Sequence, residues 1–188
     1  MTSSKPAAFT SGTPILSSSV NTAINGAGGL FVNTQTAPSA VASKSIDSCF
    51  TSAAWGYKIY ADLSLSTGGV VYFNLRSGGV DNTTAASYKT DGTYRTAGAS
   101  NAWDYSTTYW QLCSGGAESV SIEMMIFRPF ETAKTRAVWT ARNDAGTTSF
   151  FAAGNHTAVT TFDGFTVGVT GGGTITGDII VHSLRGDK

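Results

Sequence analysis

At 188 residues the chain is long enough for one substantial hydrophobic core and too short for two large domains. Charged residues make up 13% of it, about half the usual share, and twelve basic residues balance twelve acidic ones. That balance gives no field to steer nucleic acid, no eighteen-residue apolar run predicts membrane insertion, and 21 aromatic side chains argue against disorder.

Residues 1–28 read as an N-terminal extended arm, punctuated by Pro6, Pro14 and Gly26-x-Gly28-Gly29. Its one apolar cluster, Ile15, Leu16, Val20 and Ile24, fits a helix of two turns at most, too short to stand alone in water. The cluster is therefore expected to dock on another surface. Residues 1–12 contain one Lys and no apolar run, which predicts no secretory signal.

Residues 29–188 are expected to form a single β-sandwich domain. A first strand starts at Leu30, and 41–50 gives a weak second one. The stretch 57–65 (YKIYADLSL) alternates cleanly, with Tyr57, Ile59, Ala61, Leu63 and Leu65 on one face. Strand character resumes at 71–76 after Ser66-Thr67-Gly68-Gly69, which predicts a hairpin. Residues 77–84 (SGGVDNTT) read as a polar surface loop.

Strands are expected at 88–95 and 108–113, with an irregular, aromatic-bearing segment at 96–105 between them. The strongest strand is 119–127 (SVSIEMMIF). It carries Val120, Ile122, Met124 and Ile126 on one face, and Met125 and Phe127 on a second, partly apolar one. Such a strand is either central between layers or covered on its outer side by another subunit. Strands at 136–142, 148–152, 165–169 and 175–184 complete a set of nine to eleven, with turns at 143–146, 154–155 and 171–173. The pattern is all-β: a two-sheet antiparallel sandwich, jelly-roll-like, ahead of a closed barrel.

Chemistry-bearing residues are sparse. His156 and His182 have no partner at metal-ligand spacing, so no metal and no cofactor are expected. His156 reads as a solvent-facing turn residue and His182 as a strand-face residue. Cys49 and Cys113 read as two separate buried thiols. Glu118, Glu123 and Glu131 are the carboxylates to consider for glycoside hydrolysis, with Glu123 expected to pair with Lys58 or Arg128. Asp81 in its loop reads as turn chemistry rather than a calcium site. No catalytic constellation emerges.

The aromatic residues offer a better reading. Trp103, Tyr105, Tyr109 and Trp110 fall within eight residues. Trp110 is expected to pack inward, whereas Trp103, Tyr105 and Tyr109 are candidates for core plugging, a subunit interface or contact with a saccharide. Trp55 and Trp139 read as core or near-core.

Tyr57-Lys58-Ile59, then Leu63 and Ser66, then Phe73-x-Leu75-Arg76 running into Gly78-Gly79-x-Asp81-Asn82, resembles a β-sandwich domain of tailed-bacteriophage virion proteins of the minor-tail or tail-fibre type. The strand from Ile122 through Ile126-Phe127-x-Pro129-Phe130 is similar to one of that family. Phe162-Asp163-Gly164-Phe165 with Ile175-Thr176-Gly177 resembles its closing hairpin, and 15–26 (ILSSSVNTAING) resembles the opening of phage fibre proteins. The ending at 181–185 and the segment 96–107 depart from the pattern. The resemblance implies a non-enzymatic virion protein made in the host cytoplasm, self-assembling as a homotrimer and contacting other virion proteins. A tail or tail-fibre role, with contact to a host-surface glycan or protein, is the first expectation. Capsid decoration and a stand-alone glycan-binding module are the alternatives.

Overall fold

The computed structural model describes residues 31–96, 99–144 and 148–184, the side chains of 31–33 and 103–106 excepted. The docking cluster Ile15, Leu16, Val20 and Ile24 lies outside the described residues. Those described build thirteen strands in two antiparallel sheets: β1 (Phe31–Thr36), β2 (Ser43–Ile46), β3 (Gly56–Leu65), β4 (Gly69–Ser77), β5 (Val80–Asp81), β6 (Tyr88–Thr96), β7 (Ala99–Thr107), β8 (Trp110–Gly115), β9 (Ser119–Phe127), β10 (Ala133–Asn143), β11 (Thr148–Thr160), β12 (Gly164–Val169) and β13 (Ile175–Leu184). One sheet has eight strands in the order β1-β13-β3-β9-β10-β11-β6-β7. The other runs β2-β12-β4-β5, with β8 also paired to β4. The fold is all-β and sandwich-like, with one sheet strongly curled.

Alternation decides which face turns inward. Tyr57, Ile59, Ala61, Leu63 and Leu65 of β3 and Val120, Ile122, Met124 and Ile126 of β9 are all buried, as their spacing requires. They meet Val71, Phe73 and Leu75 of β4 and Phe165, Val167 and Val169 of β12 in one core cluster. Phe73 and Phe165 stack at 4.7 Å, and Phe50 joins Phe165 at 5.7 Å. Each such ring contributes about 2–3 kcal/mol by leaving water.

The curl of the larger sheet has a visible cause in Trp110, which is fully buried on β8. Its indole meets Phe73 of the smaller sheet and, from the larger one, Tyr88 of β6 edge-on at 5.3 Å and Trp139 of β10 at 6.3 Å. The indole N–H donates to the Lys89 carbonyl at 3.2 Å, and the Trp139 N–H to the Leu112 carbonyl. Wrapping β10, β11 and β6 around β8 thus buries three large rings and satisfies both indole donors.

Several local expectations are corrected. β3 and β4 do not form a hairpin, because β3 belongs to the large sheet and β4 to the small one. Their apolar faces meet across the core, and Ser66-Thr67-Gly68 is an arch between sheets. The same holds for β12 and β13, so the closing hairpin is absent as well. Residues 99–107 are a strand rather than irregular: β7 pairs with β6 along its length, held by backbone bonds that need no apolar alternation. Gly154-Asn155 is no turn but the middle of β11. The loop 77–84 folds back as the two-residue β5, its turn made by Gly78 and Gly79 at φ 59° and 79°.

His156 is corrected from a turn to a fully buried strand residue. Between Lys134 and Arg136 the pairing of β10 with β11 jumps from Val159 to Asn155, so β11 bulges over 156–158. The imidazole points inward because His156 shares the alternating face of Phe150, Ala152 and Gly154, and it sits edge-on between Tyr88 at 4.6 Å and Phe162 at 4.9 Å.

Candidate functional site

The outer face of the eight-stranded sheet carries the most distinctive surface of the described residues. Cross-strand register aligns Phe127 (β9), Arg136 (β10), Asn155 (β11) and Lys89 (β6) in one row. A second row beside it runs Lys58, Met125, Val138, Ala153 and Asp91. Directly opposed residues on one sheet face approach closely enough for their side chains to touch.

Trp55 closes the first row at one end. It stacks on Phe127 with ring centroids 5.4 Å apart and planes 17° from parallel, yet remains 39% exposed. This corrects its expected core position: the chain enters β3 from outside the sandwich, leaving the indole on the outer face. The Arg128 N–H donates to the Trp55 carbonyl at 2.7 Å, and Arg128 holds a left-handed φ of 58° to do so. Arg128 in turn pairs with Glu131 at 2.7 Å.

Together these elements enclose an open trough of about 750 Å³. Val138 and Ala153 give it an apolar floor, the Trp55–Phe127 pair forms a wall, and Arg128, Lys134, Arg136 and Lys89 stand around it, with Asp91 the one lining carboxylate among the described residues. Lys134 and Arg136 are exposed and, among the described residues, have no ion-pair partner. A shallower depression of about 410 Å³, between Tyr60, Glu123, Thr140 and Phe151, continues the same face. Phe151 is half exposed and Val138 43% exposed.

The expected ligand residues lie elsewhere. Trp103 and Tyr105 belong to β7, opposite Gly92 and Thr90 of β6, and their side chains lie outside the described set. Tyr109 is half-buried, 5.5 Å from Tyr72, whose hydroxyl lies over Gly168 of the smaller sheet. Trp110 and Trp139 are core, as expected.

The carboxylates are each engaged. Lys58 pairs with Glu123 at 2.7 Å, and this bond, reinforced by Tyr60, raises the Lys58 pKa. Glu118 accepts from Asn143 at 2.7 Å and from the Gly116 N–H, bracing the turn into β9. Five residues of strand place Glu118 and Glu123 about 17 Å apart, beyond the reach of a hydrolytic pair. Asp81 is more than a turn residue. With Asp47 it holds the buried Arg76, and it accepts from the Thr166 hydroxyl at 2.6 Å.

Among the described residues no three His, Cys, Asp or Glu side chains gather as metal ligands. Cys49 and Cys113 are buried and not joined in a disulfide, as expected, and burial pushes each thiol pKa up to about 12. His182 packs against Tyr60 at 5.6 Å on the outer face, its pKa lowered by burial and then by Lys58.

No protein-family model matches the chain, and a search of curated proteins finds no relative.

Sequence reasoning missed Trp55, Phe127, Lys134 and Arg136 as a group. The signal was present in 133–139 (AKTRAVW), where Lys134, Arg136 and Val138 alternate with buried Thr135, Ala137 and Trp139. What sequence lacked was the register that sets this face beside Phe127 and Asn155.

Proposed function

We propose that the chain is a non-enzymatic structural and binding protein of a tailed-phage virion, a tail or tail-fibre component acting as a homotrimer. The observation that carries the reading is the outer face of the large sheet, where Trp55, Val138 and Phe151 stand exposed with half-buried Met125 and Phe127 between them. A contiguous apolar surface on a finished sandwich marks a place where something docks. The resemblance of 57–82 and 122–130 to phage β-sandwich domains supplies the setting, and a cyclic trimer satisfies the preference of self-association for closed symmetry. The apolar cluster of the arm, Ile15, Leu16, Val20 and Ile24, serves attachment to the particle or to a sister subunit.

Gold-labelled antibody on intact particles tests the location: label on the tail is expected, and no label on any particle would refute it. Light scattering of the full chain at micromolar concentration should give three chains per particle. Depolymerisation of a bacterial polysaccharide by the purified protein would overturn the non-enzymatic assignment.

A further inference from the structure

We infer that the trough between the Trp55–Phe127 stack and the Lys134–Arg136 edge of β10 is a binding site for an acidic saccharide. The inference deepens the binding role above, yet it requires neither the virion location nor the trimer. It also moves the ligand site away from the 96–110 segment, to the far side of β6 and onto β9, β10 and β11.

Three features select that ligand class. The first is shape. A volume of about 750 Å³ lies within the roughly 300–1,000 Å³ of ligand sites, but the trough is open along its length. From Phe127 to Lys89 it crosses three strand spacings, about 14 Å, which suits a chain of rings better than one compact molecule. The second is the wall. Trp55 and Phe127 lie nearly parallel, and the part-exposed indole offers a flat apolar surface to the C–H face of a sugar ring. The backbone that carries it is held by the Arg128 N–H on the Trp55 carbonyl, and the Phe127 ring backs the indole itself. A preset platform spends little ordering entropy on binding.

Charge is the third. Arg128 is neutralised by Glu131, but Lys134 and Arg136 project beside the platform without a carboxylate of their own among the described residues. Arg136 sits directly across from Phe127 on one side and Asn155 on the other. A ring stacked on Trp55 therefore has a guanidinium fork and an amide in line with it. A uronic-acid unit matches this sequence of groups: apolar face on the indole, carboxylate on Arg136, hydroxyls on Asn155. A neutral sugar would leave the two cations unused. An extended single strand needs aromatic platforms for successive bases, and the described residues of the trough offer one stack, at its Trp55 end.

Calorimetry of the full-length protein with an oligogalacturonate of six units, its methyl ester and a six-nucleotide single strand tests the assignment. The acid is expected to bind at least tenfold more tightly than the ester and than the nucleotide. Arg136→Gln and Trp55→Ala should each weaken binding of the acid at least tenfold. The circular dichroism and melting of Arg136→Gln should match the parent, and its binding loss stands as the test if Trp55→Ala folds poorly. No binding of the acid at millimolar concentration, equal binding of acid and ester, tighter binding of the nucleotide, or an unchanged Arg136→Gln would each overturn the proposal. So would light scattering showing that Val138→Lys dissolves an oligomer while saccharide never binds, since that face would then belong to a second copy. Particle labelling reports on the virion reading separately, so failure of one is distinguishable from failure of the other.

Discussion

A Cβ on Gly154 would stand 2.7 Å from the indole nitrogen of Trp110 and equally close to the Lys89 carbonyl that accepts its proton. Glycine in the middle of β11 is thus explained by contact, not by a turn: the fully buried Trp110 indole reaches the bare backbone there. Gly154→Ala forces either the indole or β6 to move. Overpacking of this kind costs about 1–3 kcal/mol, and the Trp110 hydrogen bond is lengthened as well. Urea denaturation should show a lower midpoint with an unchanged slope. A midpoint equal to the parent's would mean that β11 can shift freely over Trp110.

The two thiols should be inert in the folded protein. Cys49 and Cys113 are buried, and desolvation leaves almost no thiolate at neutral pH. Iodoacetamide at pH 7.5 is expected to label neither within an hour, and both once guanidinium is added. Rapid labelling of the native protein would show that the sandwich opens at β8 or ahead of β3.

Arg76 ties the smaller sheet to its loops. Its guanidinium is mostly buried and pairs with Asp47 and Asp81, with further bonds to Thr166 and the Gly79 carbonyl. Arg76→Met leaves Asp81 facing the protein without its partner. The expected loss is about 3 kcal/mol, the low end for a broken buried pair, because Asp47 is half in water. Asp47→Asn should cost under about 1 kcal/mol for the same reason. Equal losses for the two variants would mean that burial does not distinguish the two ends of the network.

Sequence made the faces legible but not the neighbours. Alternation in 57–65 and 119–127 announced which side chains of β3 and β9 would be buried, and they are. It said nothing of whether β4 would lie beside β3 or opposite it, because a short Gly-containing connection serves a hairpin and an arch alike. Edge strand β7 escaped for a related reason: it is held by backbone bonds, and no apolar period is needed there. The trough was hidden for both reasons. Trp55 precedes its strand, and Arg136 meets Phe127 only through the pairing of β10 with β9. His156 reads as a turn residue because it follows Gly154-Asn155, and only the continuity of β11 through that pair puts it on the buried face of Phe150.

That histidine makes stability depend on pH in a defined window. Its Nε2 lies 3.3 Å from the Asn82 side-chain oxygen, which also accepts the Thr84 N–H at 3.2 Å. The shared oxygen is an acceptor, so Nε2 is the nitrogen that donates to it. Adding a second proton would charge a ring enclosed by Tyr88 and Phe162, and burial accordingly lowers the His156 pKa below its ordinary 6.5. Well above pH 6.5 both folded and unfolded chains are neutral at this site, and its contribution is fully present. As pH falls below 6.5 the unfolded chain takes up a proton that the native state refuses, so stability declines until the native pKa is reached. The slope from one such group approaches about 1.4 kcal/mol per pH unit. His182, also lowered, adds a second and more exposed contribution of the same sign. Urea unfolding between pH 5 and 7.5 should therefore show stability rising with pH. His156→Gln should flatten most of that rise, and His182→Gln only a small part. A profile that His156→Gln leaves unchanged would place the protonation elsewhere and remove the buried imidazole as its source.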